Sequence, residues 1–307
     1  MKALLIGIAA VALALAAPAT GAAAAKPPDA KPLDTTRIEA LTGAKGAWNE
    51  AEGVFKVSLP RSDLHVVAAG VHMTPAMGLT SWAAFQPMGH QAAVMGDMVL
   101  LEDQVNPVMS AALDAGLEVT ALHNHFLWES PRVMFMHVGG MGDAAELAQA
   151  VGKVFAKIGE TSGGKGEAPA ADLAPANSSL DPARIEAILH EPGSLKDGVY
   201  KVVVGRTTRM HDAVVGNTMG VNTWAAFVGS DAQAVVDGDF AMLESELQAV
   251  LKALRGAGID IVAIHQHMTG ESPRIVFLHY WGVGSTEALA RGLRAALDQT
   301  AGGTAGH

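Results

Sequence analysis

The amino-acid sequence contains no cysteine, which excludes disulfide bonds, thiolate chemistry and lipid attachment at a cysteine. Aromatic residues are also scarce, at 5% of the chain, whereas hydrophobic residues make up 50%. This hydrophobic share is enough for an ordinary buried core and excludes disorder except in local segments.

Positive charge is in short supply, with 21 Lys and Arg residues against 31 Asp and Glu residues and a formal net charge of −10. The basic residues do not cluster, and phosphate contacts with DNA or RNA depend on such clusters. We therefore expect no nucleic-acid partner. The same net charge gives no reason for attraction to an anionic membrane surface.

Long apolar runs are missing except at the N-terminus, where Leu4 to Ala17 is apolar, follows Lys2 and precedes alanine-rich sequence. This pattern predicts a secretory signal peptide over residues 1–25, with a retained anchor as the alternative. The run is short for a transmembrane helix. We therefore expect a periplasmic or secreted mature protein without stable membrane insertion.

Three common catalytic motifs are absent: the Gly-x-Ser-x-Gly elbow, the phosphate loop and the dinucleotide-binding fingerprint. The chain has instead a histidine segment over residues 121–137 that returns over residues 263–279. Both copies have the order His-x-His, three residues, Glu-Ser-Pro-Arg, four residues, His. Six of the twelve histidines occupy these matched places, so the chain's imidazoles are concentrated in two segments.

The duplication extends far beyond the histidines. Residues 77–85 match residues 219–227, and the constant spacing continues to Gly140 and Gly282. A correspondence of this length predicts two tandem homologous repeats. We assign the remaining chain by composition: a flexible leader (26–35), repeat 1 (36–159), a linker rich in Gly, Ala, Pro and Ser (160–180), repeat 2 (181–300) and a loose tail (301–307).

Helical and strand-like patterns follow one another in each repeat without strict alternation. Apolar spacing predicts helices over residues 102–115, 143–158, 244–257 and 285–297. Alternating polarity predicts strands, among them residues 53–59 and 198–204. The order favours an α+β fold, in which each repeat is a mainly antiparallel sheet with packed helices, over a doubly wound parallel sheet.

The histidines of each segment have the spacing of a metal site on a strand hairpin. A strand over residues 117–125 places the His-x-His pair on one face. The third histidine joins the pair if the returning strand sets Phe135 opposite His123, and a slip of one residue turns it away. Three neutral imidazoles suit zinc, copper, iron or nickel. The predicted ligands are His123, His125 and His137 in repeat 1 and His265, His267 and His279 in repeat 2.

The glutamates and arginines of the two Glu-Ser-Pro-Arg segments have two interpretations. Glu129 and Glu271 are candidate general bases for a metal-activated water. Arg132 and Arg274 are candidates for binding a carboxylate or phosphate group of a small polar ligand. Alternatively, the segment is a turn in which the glutamate and the arginine form an ion pair.

Two further duplicated pairs of residues precede the histidine segments. Trp82 and Trp224 are predicted core residues, and a ligand platform is the alternative. Asp97 and Asp239 each follow a glycine, so a turn or a helix cap is predicted for them, with hydrogen bonding to a histidine as the alternative.

At these residues the chain resembles the LppY/LpqO family of exported bacterial proteins of uncharacterised function. The resemblance rests on residues 97–109, 119–125 and 129–137, with weaker second copies. It implies export and no particular reaction. Lipid anchoring is not implied, because this chain has no cysteine to carry the lipid. Asn106 and Pro107 are replaced by Gln248 and Ala249 in the second copy, which suggests that one half is functional and the other supporting.

Three functions follow from these patterns. The leading prediction is that the histidine segments bind a transition metal ion or a small polar ligand. A metal-dependent hydrolase or lyase with a glutamate base is the second, and a structural or interaction module of the cell envelope is the third. The spacing leaves open whether the repeats have two sites or pack face to face around one shared site.

Overall fold

A computed structural model describes residues 32–162 and 170–300. The predicted signal peptide and tail, most of the predicted leader and the centre of the predicted linker lie outside the described residues. In the part of the chain that is described, no helix combines the length and the apolar character needed to cross a membrane.

The first repeat begins with a helix and runs through strands, a crossover helix, a hairpin and a closing helix. Its elements are α1 (Thr35–Thr42), β1 (Lys45–Asn49), β2 (Val54–Pro60), β3 (Val67–Ala68), β4 (Val71–His72), β5 (Thr80–Met88), β6 (Gln91–Leu101), α2 (Glu102–Asp114), β7 (Glu118–His123), β8 (Glu129–Ser130), β9 (Val133–Gly142) and α3 (Ala144–Glu160).

The second repeat follows the same order. Its elements are α4 (Pro182–Leu189), β10 (Gly193–Lys196), β11 (Val199–Gly205), β12 (Thr208–Met210), β13 (Ala213–Val215), β14 (Asn222–Gly229), β15 (Ala234–Leu243), α5 (Leu247–Gly256), β16 (Asp260–His265), β17 (Ile275–Gly284) and α6 (Thr286–Leu297). A 3-10 turn at Glu244–Glu246 precedes α5.

The predicted α+β fold with two tandem repeats is confirmed, and the four predicted helices are present with small shifts at their ends. The strand predicted over residues 117–125 is shorter than expected, because pairing ends at His123. His125 therefore lies in the turn rather than on the strand.

Twelve strands form one continuous sheet with the order β1-β2-β5-β6-β9-β7-β16-β17-β15-β14-β11-β10. The two repeats meet edge to edge where β7 pairs antiparallel with β16, with Leu122 opposite Ile264. These two residues occupy equivalent positions in the repeats, so a pseudo-twofold axis passes between them. The repeats do not pack face to face, and each keeps its own histidine segment.

Two side-chain amides connect the repeats beside this junction. Asn106 on α2 exchanges hydrogen bonds with the backbone N–H (2.8 Å) and C=O (3.3 Å) of Ile261. Gln248 on α5 does the same with Val119, at 2.9 Å in both directions. Both backbone positions adjoin irregularities in strand pairing. The replacement of Asn106 by Gln248 therefore preserves a reciprocal contact and is no sign that one repeat lost its role.

The helices cover one face of the sheet and enclose a core shared by both repeats. Along β9, Met134 and Met136 face this core, whereas Val133 and Phe135 face the opposite side, as the alternation of a strand requires. On that opposite side each repeat has a small apolar cluster, which includes Phe135 in repeat 1 and Phe277 in repeat 2. The histidine segments lie on this side.

Each repeat has an arginine, buried in repeat 1 and half-buried in repeat 2, that contacts a backbone carbonyl near the end of β6 or β15. Arg61 is 2% exposed and contacts Asp63 (2.8 Å), Gln104 (3.1 Å) and the carbonyl of Val99. In repeat 2, Arg206 contacts Glu246 at 2.6 Å and a backbone carbonyl of β15. The arginine therefore pairs with a different carboxylate in each repeat, Asp63 in repeat 1 and Glu246 in repeat 2.

Candidate metal centre

The strand register brings the three histidines of each segment together. His123 lies opposite Phe135 and His137 lies opposite Ala121, which is the register that the three-histidine prediction requires. In repeat 2 the corresponding pairs are His265 with Phe277 and His279 with Ala263. Both hairpins therefore place the third imidazole on the same face as the first.

In repeat 1 the three imidazoles form a stack. The ring centroids of His123 and His125 are 5.1 Å apart, as are those of His123 and His137. The His125 ring lies parallel to Phe135 at a centroid distance of 3.4 Å. Phe135 is buried, so it provides a fixed surface for the histidine of the turn.

Repeat 2 repeats this arrangement with closer polar contacts. The ring centroids of His265 and His279 are 4.7 Å apart, and those of His265 and His267 are 5.1 Å apart. His267 stacks on Phe277 at 3.5 Å. The Nδ1 atom of His279 lies 3.3 Å from the carbonyl oxygen of Gly238, so a proton on Nδ1 leaves Nε2 as the free ligand atom.

An aspartate adjoins each histidine cluster, and here the predicted turn or helix cap is wrong. Asp97 lies in the middle of β6 opposite His137, and Asp239 lies in β15 opposite His279. Both side chains are buried. The preceding Gly238 is needed for close packing rather than for a turn, because a Cβ there would collide with Trp224 and Tyr280.

Asp239, His265 and His267 form a group whose potential ligand atoms all lie within 4.8 Å of one another. The Nε2 atom of His267 is 3.4 Å from a carboxylate oxygen of Asp239. The second oxygen of Asp239 and the Nε2 atom of His265 are buried and have no hydrogen-bond partner among the described residues. Unpaired buried polar atoms are costly, and a bound cation would satisfy both.

Burial shifts the proton equilibria of both clusters in the same way. It raises the pKa values of Asp97 and Asp239, an effect that the neighbouring histidines oppose. It lowers the pKa values of His125 and His265, and nearby imidazoles add to that lowering. The neutral imidazole is the form that binds a metal ion, so these two shifts favour ligand binding.

The glutamates of the two segments lie apart from the imidazole ligand atoms. Glu129 is in β8, opposite Ala68 of β3. Glu271 is buried, with one carboxylate oxygen 3.3 Å from the backbone N–H of Ile275. Within residues 32–162 and 170–300, neither glutamate forms an ion pair with a histidine. Their proposed role as bases stays a prediction.

The arginines also lie outside the imidazole clusters. Arg132 is exposed and lies 3.6 Å from Glu102, so the ion pair with Glu129 considered for the turn is replaced by a different one. Arg274 lines a cleft of about 720 Å³ at the junction of the repeats, together with Glu118, Glu244 and His265. Anion binding by either arginine stays a prediction.

The prediction that the duplicated tryptophans belong to the core is wrong. Trp82 is half-buried and lies opposite Asp97, and Trp224 is half-buried and lies opposite Asp239. Their neighbours Ala83 and Ala225 contribute to the main core instead. Each tryptophan thus flanks a histidine cluster on the face away from the helices.

A model of the family described as Domain of Unknown Function (DUF1259) matches residues 36–157 and 183–299, and the chain belongs to this family, with one copy of the domain in each repeat. No curated protein sequence matches the chain.

Two solved structures show weak similarity to the chain. The trimeric bacterial microcompartment shell protein PduB is 13% identical, with 82% of this chain and 89% of that chain covered and a TM-score of 0.19. EtuB from Clostridium kluyveri is 10% identical, with 82% and 88% covered and a TM-score of 0.20. TM-scores this low carry no argument about fold or function.

Proposed function

We propose that this protein is exported and binds a divalent transition metal ion in each repeat through the three histidines and the neighbouring aspartate. The observation that carries the proposal is the group formed by Asp239, His265 and His267, with ligand atoms within 4.8 Å. The N-terminal pattern of residues 1–25 supports export.

The chemistry of the donors supports zinc, copper, iron or nickel. Imidazole nitrogen with one carboxylate oxygen is a common set for these ions, whereas magnesium and calcium prefer sites made of oxygen alone. Three neutral imidazoles and one carboxylate leave a divalent ion with a net positive charge. The proposed sets are His123, His125, His137 and Asp97 in repeat 1, and His265, His267, His279 and Asp239 in repeat 2.

Contacts with other groups of the protein orient the histidine rings of both sites. Phe135 and Phe277 hold the turn histidines by stacking, and His279 is oriented by a backbone carbonyl. Rings that are already oriented lose less conformational entropy when they bind a ligand. The alternative of a metal-dependent hydrolase or lyase has weaker support, because Glu129 lies in β8 against β3 and Glu271 accepts a hydrogen bond from the Ile275 N–H. In the described chain neither belongs to the group of closely spaced ligand atoms.

The test is the metal content of the tag-free mature protein, measured by elemental mass spectrometry after loading with zinc, copper, iron or nickel and removal of excess metal. We expect two ions per chain. The double variants H123A/H125A and H265A/H267A should each retain one ion, and their combination should retain none. His90→Ala, which removes an exposed histidine at the β5–β6 turn, is the matched control and should retain both.

Two results would contradict the proposal. Wild-type protein that retains none of the four metals after loading has no metal site of the kind described. Full metal content in the combined variant would place the ions elsewhere. Circular dichroism spectra of the variants must match the wild type, so that loss of metal reports the ligands rather than the fold.

A further inference from the structure

The two metal sites lie within longer rows of side chains on the open face of the sheet. In repeat 1 the register sets Trp82 opposite Asp97, and Asp97 opposite His137. In repeat 2 the same row is Trp224, Asp239 and His279. Opposite residues of antiparallel strands have their Cβ atoms about 5 Å apart, so each tryptophan directly adjoins a proposed metal ligand.

On the next strand a lysine adjoins each tryptophan diagonally, since Lys56 lies opposite Ala84 and Lys201 opposite Ala226. The Nζ atom of Lys56 on β2 lies 3.9 Å from the ring centroid of Trp82, and that of Lys201 on β11 lies 4.1 Å from Trp224. An ammonium over an indole ring is held there by a cation–π interaction. The duplication of this contact in both repeats ties it to the duplicated site.

The ammonium groups that lie over the tryptophans are not neutralised by a carboxylate in the described chain. Among the described residues, neither Lys56 nor Lys201 forms an ion pair with a carboxylate. Each ammonium therefore retains hydrogen-bond donors for a further partner.

We propose that each repeat binds a small oxyanion, a carboxylate or a phosphate, between its metal ion and the lysine that stands over the tryptophan. This inference rests on the proposed metal sites. The charges favour it, because a divalent ion with one aspartate keeps one positive charge and the lysine adds another. The oxyanion coordinates the metal through one oxygen and accepts a hydrogen bond from the ammonium through another, while the indole bounds the pocket.

The experiment measures anion binding to zinc-loaded protein, freed of excess zinc, by isothermal titration calorimetry with inorganic phosphate in one arm and acetate in the other. We expect saturable binding in at least one arm. The double variant K56Q/K201Q should weaken it by about 10-fold to 100-fold, the loss typical of a hydrogen bond to a charged group. K56R/K201R should restore most of the affinity, because it keeps the charge.

Lys153→Gln is the control, because it removes an exposed lysine on α3, away from both rows. It should leave the affinity unchanged. The arm that responds identifies the anion as a phosphate or a carboxylate. The zinc content of every sample, measured by elemental mass spectrometry, separates failure of the two proposals.

If zinc is retained but neither anion binds, or K56Q/K201Q binds as tightly as wild type, the oxyanion inference is wrong and the metal sites stand. If wild-type protein retains no zinc, copper, iron or nickel, both proposals fail together.

Discussion

The two histidine sites differ although their backbones follow the same register. In repeat 2 a histidine and the aspartate are in direct contact, at 3.4 Å between His267 and Asp239. In repeat 1 the equivalent His125 and Asp97 form no such contact among the described residues, although His125 stacks on its phenylalanine in the same way. The sheet therefore fixes the positions of the strand residues in the same way in both repeats. The distance between the turn histidine and the aspartate differs between them.

The turns themselves show where the repeats have diverged. Repeat 1 carries Phe126, which packs edge-on against Phe135, followed by Leu127 and Trp128, which are 63% and 81% exposed. Repeat 2 has Met268, Thr269 and Gly270 at the same positions. Trp128 adopts φ +59° where Gly270 adopts φ +83°. A bulky residue is uncommon in this conformation, so repeat 1 retains an exposed tryptophan at a cost in backbone strain.

The largest expected effect is on metal affinity and differs between the two aspartates. Asp239→Asn, in the H123A/H125A background, should weaken metal binding by about 100-fold or more, because a direct ligand contributes at least as much as a group that only orients one. Asp97→Asn, in the H265A/H267A background, should cost only about tenfold, because Asp97 is less closely engaged. Competition with a chromogenic chelator measures both affinities. Equal losses would show that the metal draws the two sites into the same geometry.

The second prediction compares the two side-chain amides that connect the repeats beside the β7–β16 junction. Asn106→Ala and Gln248→Ala each remove two hydrogen bonds to the backbone of the other repeat. Each substitution should lower the free energy of unfolding by about 2 kcal/mol, because buried backbone groups lose their partners. Urea denaturation measures the change, with the exposed Gln266→Ala as a control near zero. A large loss for one variant alone would mean that the two contacts are not equivalent.

A smaller effect concerns the turn position with positive φ. Gly270→Ala should destabilise the protein by about 1 kcal/mol, because alanine is strained in this conformation. Trp128→Gly should raise the free energy of unfolding by about 0.5 kcal/mol through relief of strain. Leu127→Gly, at a neighbour whose φ is not positive, should lower it instead. Urea denaturation distinguishes these signs, and a loss of stability in Trp128→Gly would show that the exposed ring makes stabilising contacts.

The smallest effect is a pH dependence of the metal-free protein. The pKa values of His125 and His265 are lowered by burial, so the unfolded chain binds protons more readily at these residues. Their contribution to stability is present above the ordinary histidine pKa of about 6.5 and is lost as the pH falls from there through the folded-state pKa. Thermal melts between pH 7.5 and 5 should therefore show a shallower decline for His125→Gln and His265→Gln than for the wild type. An unchanged slope in both variants would contradict the assignment of these shifts.

Much of the architecture could be predicted because the duplication shows the sequence pattern of each helix and strand twice. Helix spacing and the antiparallel hairpins followed from residue order, whereas the spacing left the hairpin register open, and the structure has the register that places His137 beside His123. Asp97 was misjudged because a Gly-Asp pair is typical of turns, yet here the glycine permits close packing inside a strand. The signal that could have revealed the strand is the apolar sequence on both sides of the pair, over residues 92–95 and 98–101.

The edge-to-edge pairing of the repeats could not be predicted, since it depends on two strands that lie a whole repeat apart along the chain. The difference between Asn106 and Gln248 suggested divergence for the same reason. Their hydrogen-bond partners, Ile261 and Val119, belong to the other repeat and cannot be identified from the local sequence. The cation–π contacts of Lys56 and Lys201 likewise depend on which strands become neighbours. Local sequence patterns predict the face of the sheet on which a residue lies. The order of the strands in the sheet determines which residues become its neighbours on that face.

The pairing of Leu122 with Ile264 has a consequence for how this chain can be divided. A fragment with one repeat would end in an unprotected edge strand, β7 or β16, which is a template for pairing with another chain. Because equivalent residues already face each other there, two identical fragments could close on themselves as an isologous homodimer. The tandem chain is in effect such a dimer joined covalently, and in the described residues β1 and β10 are the outer strands of its twelve-stranded sheet.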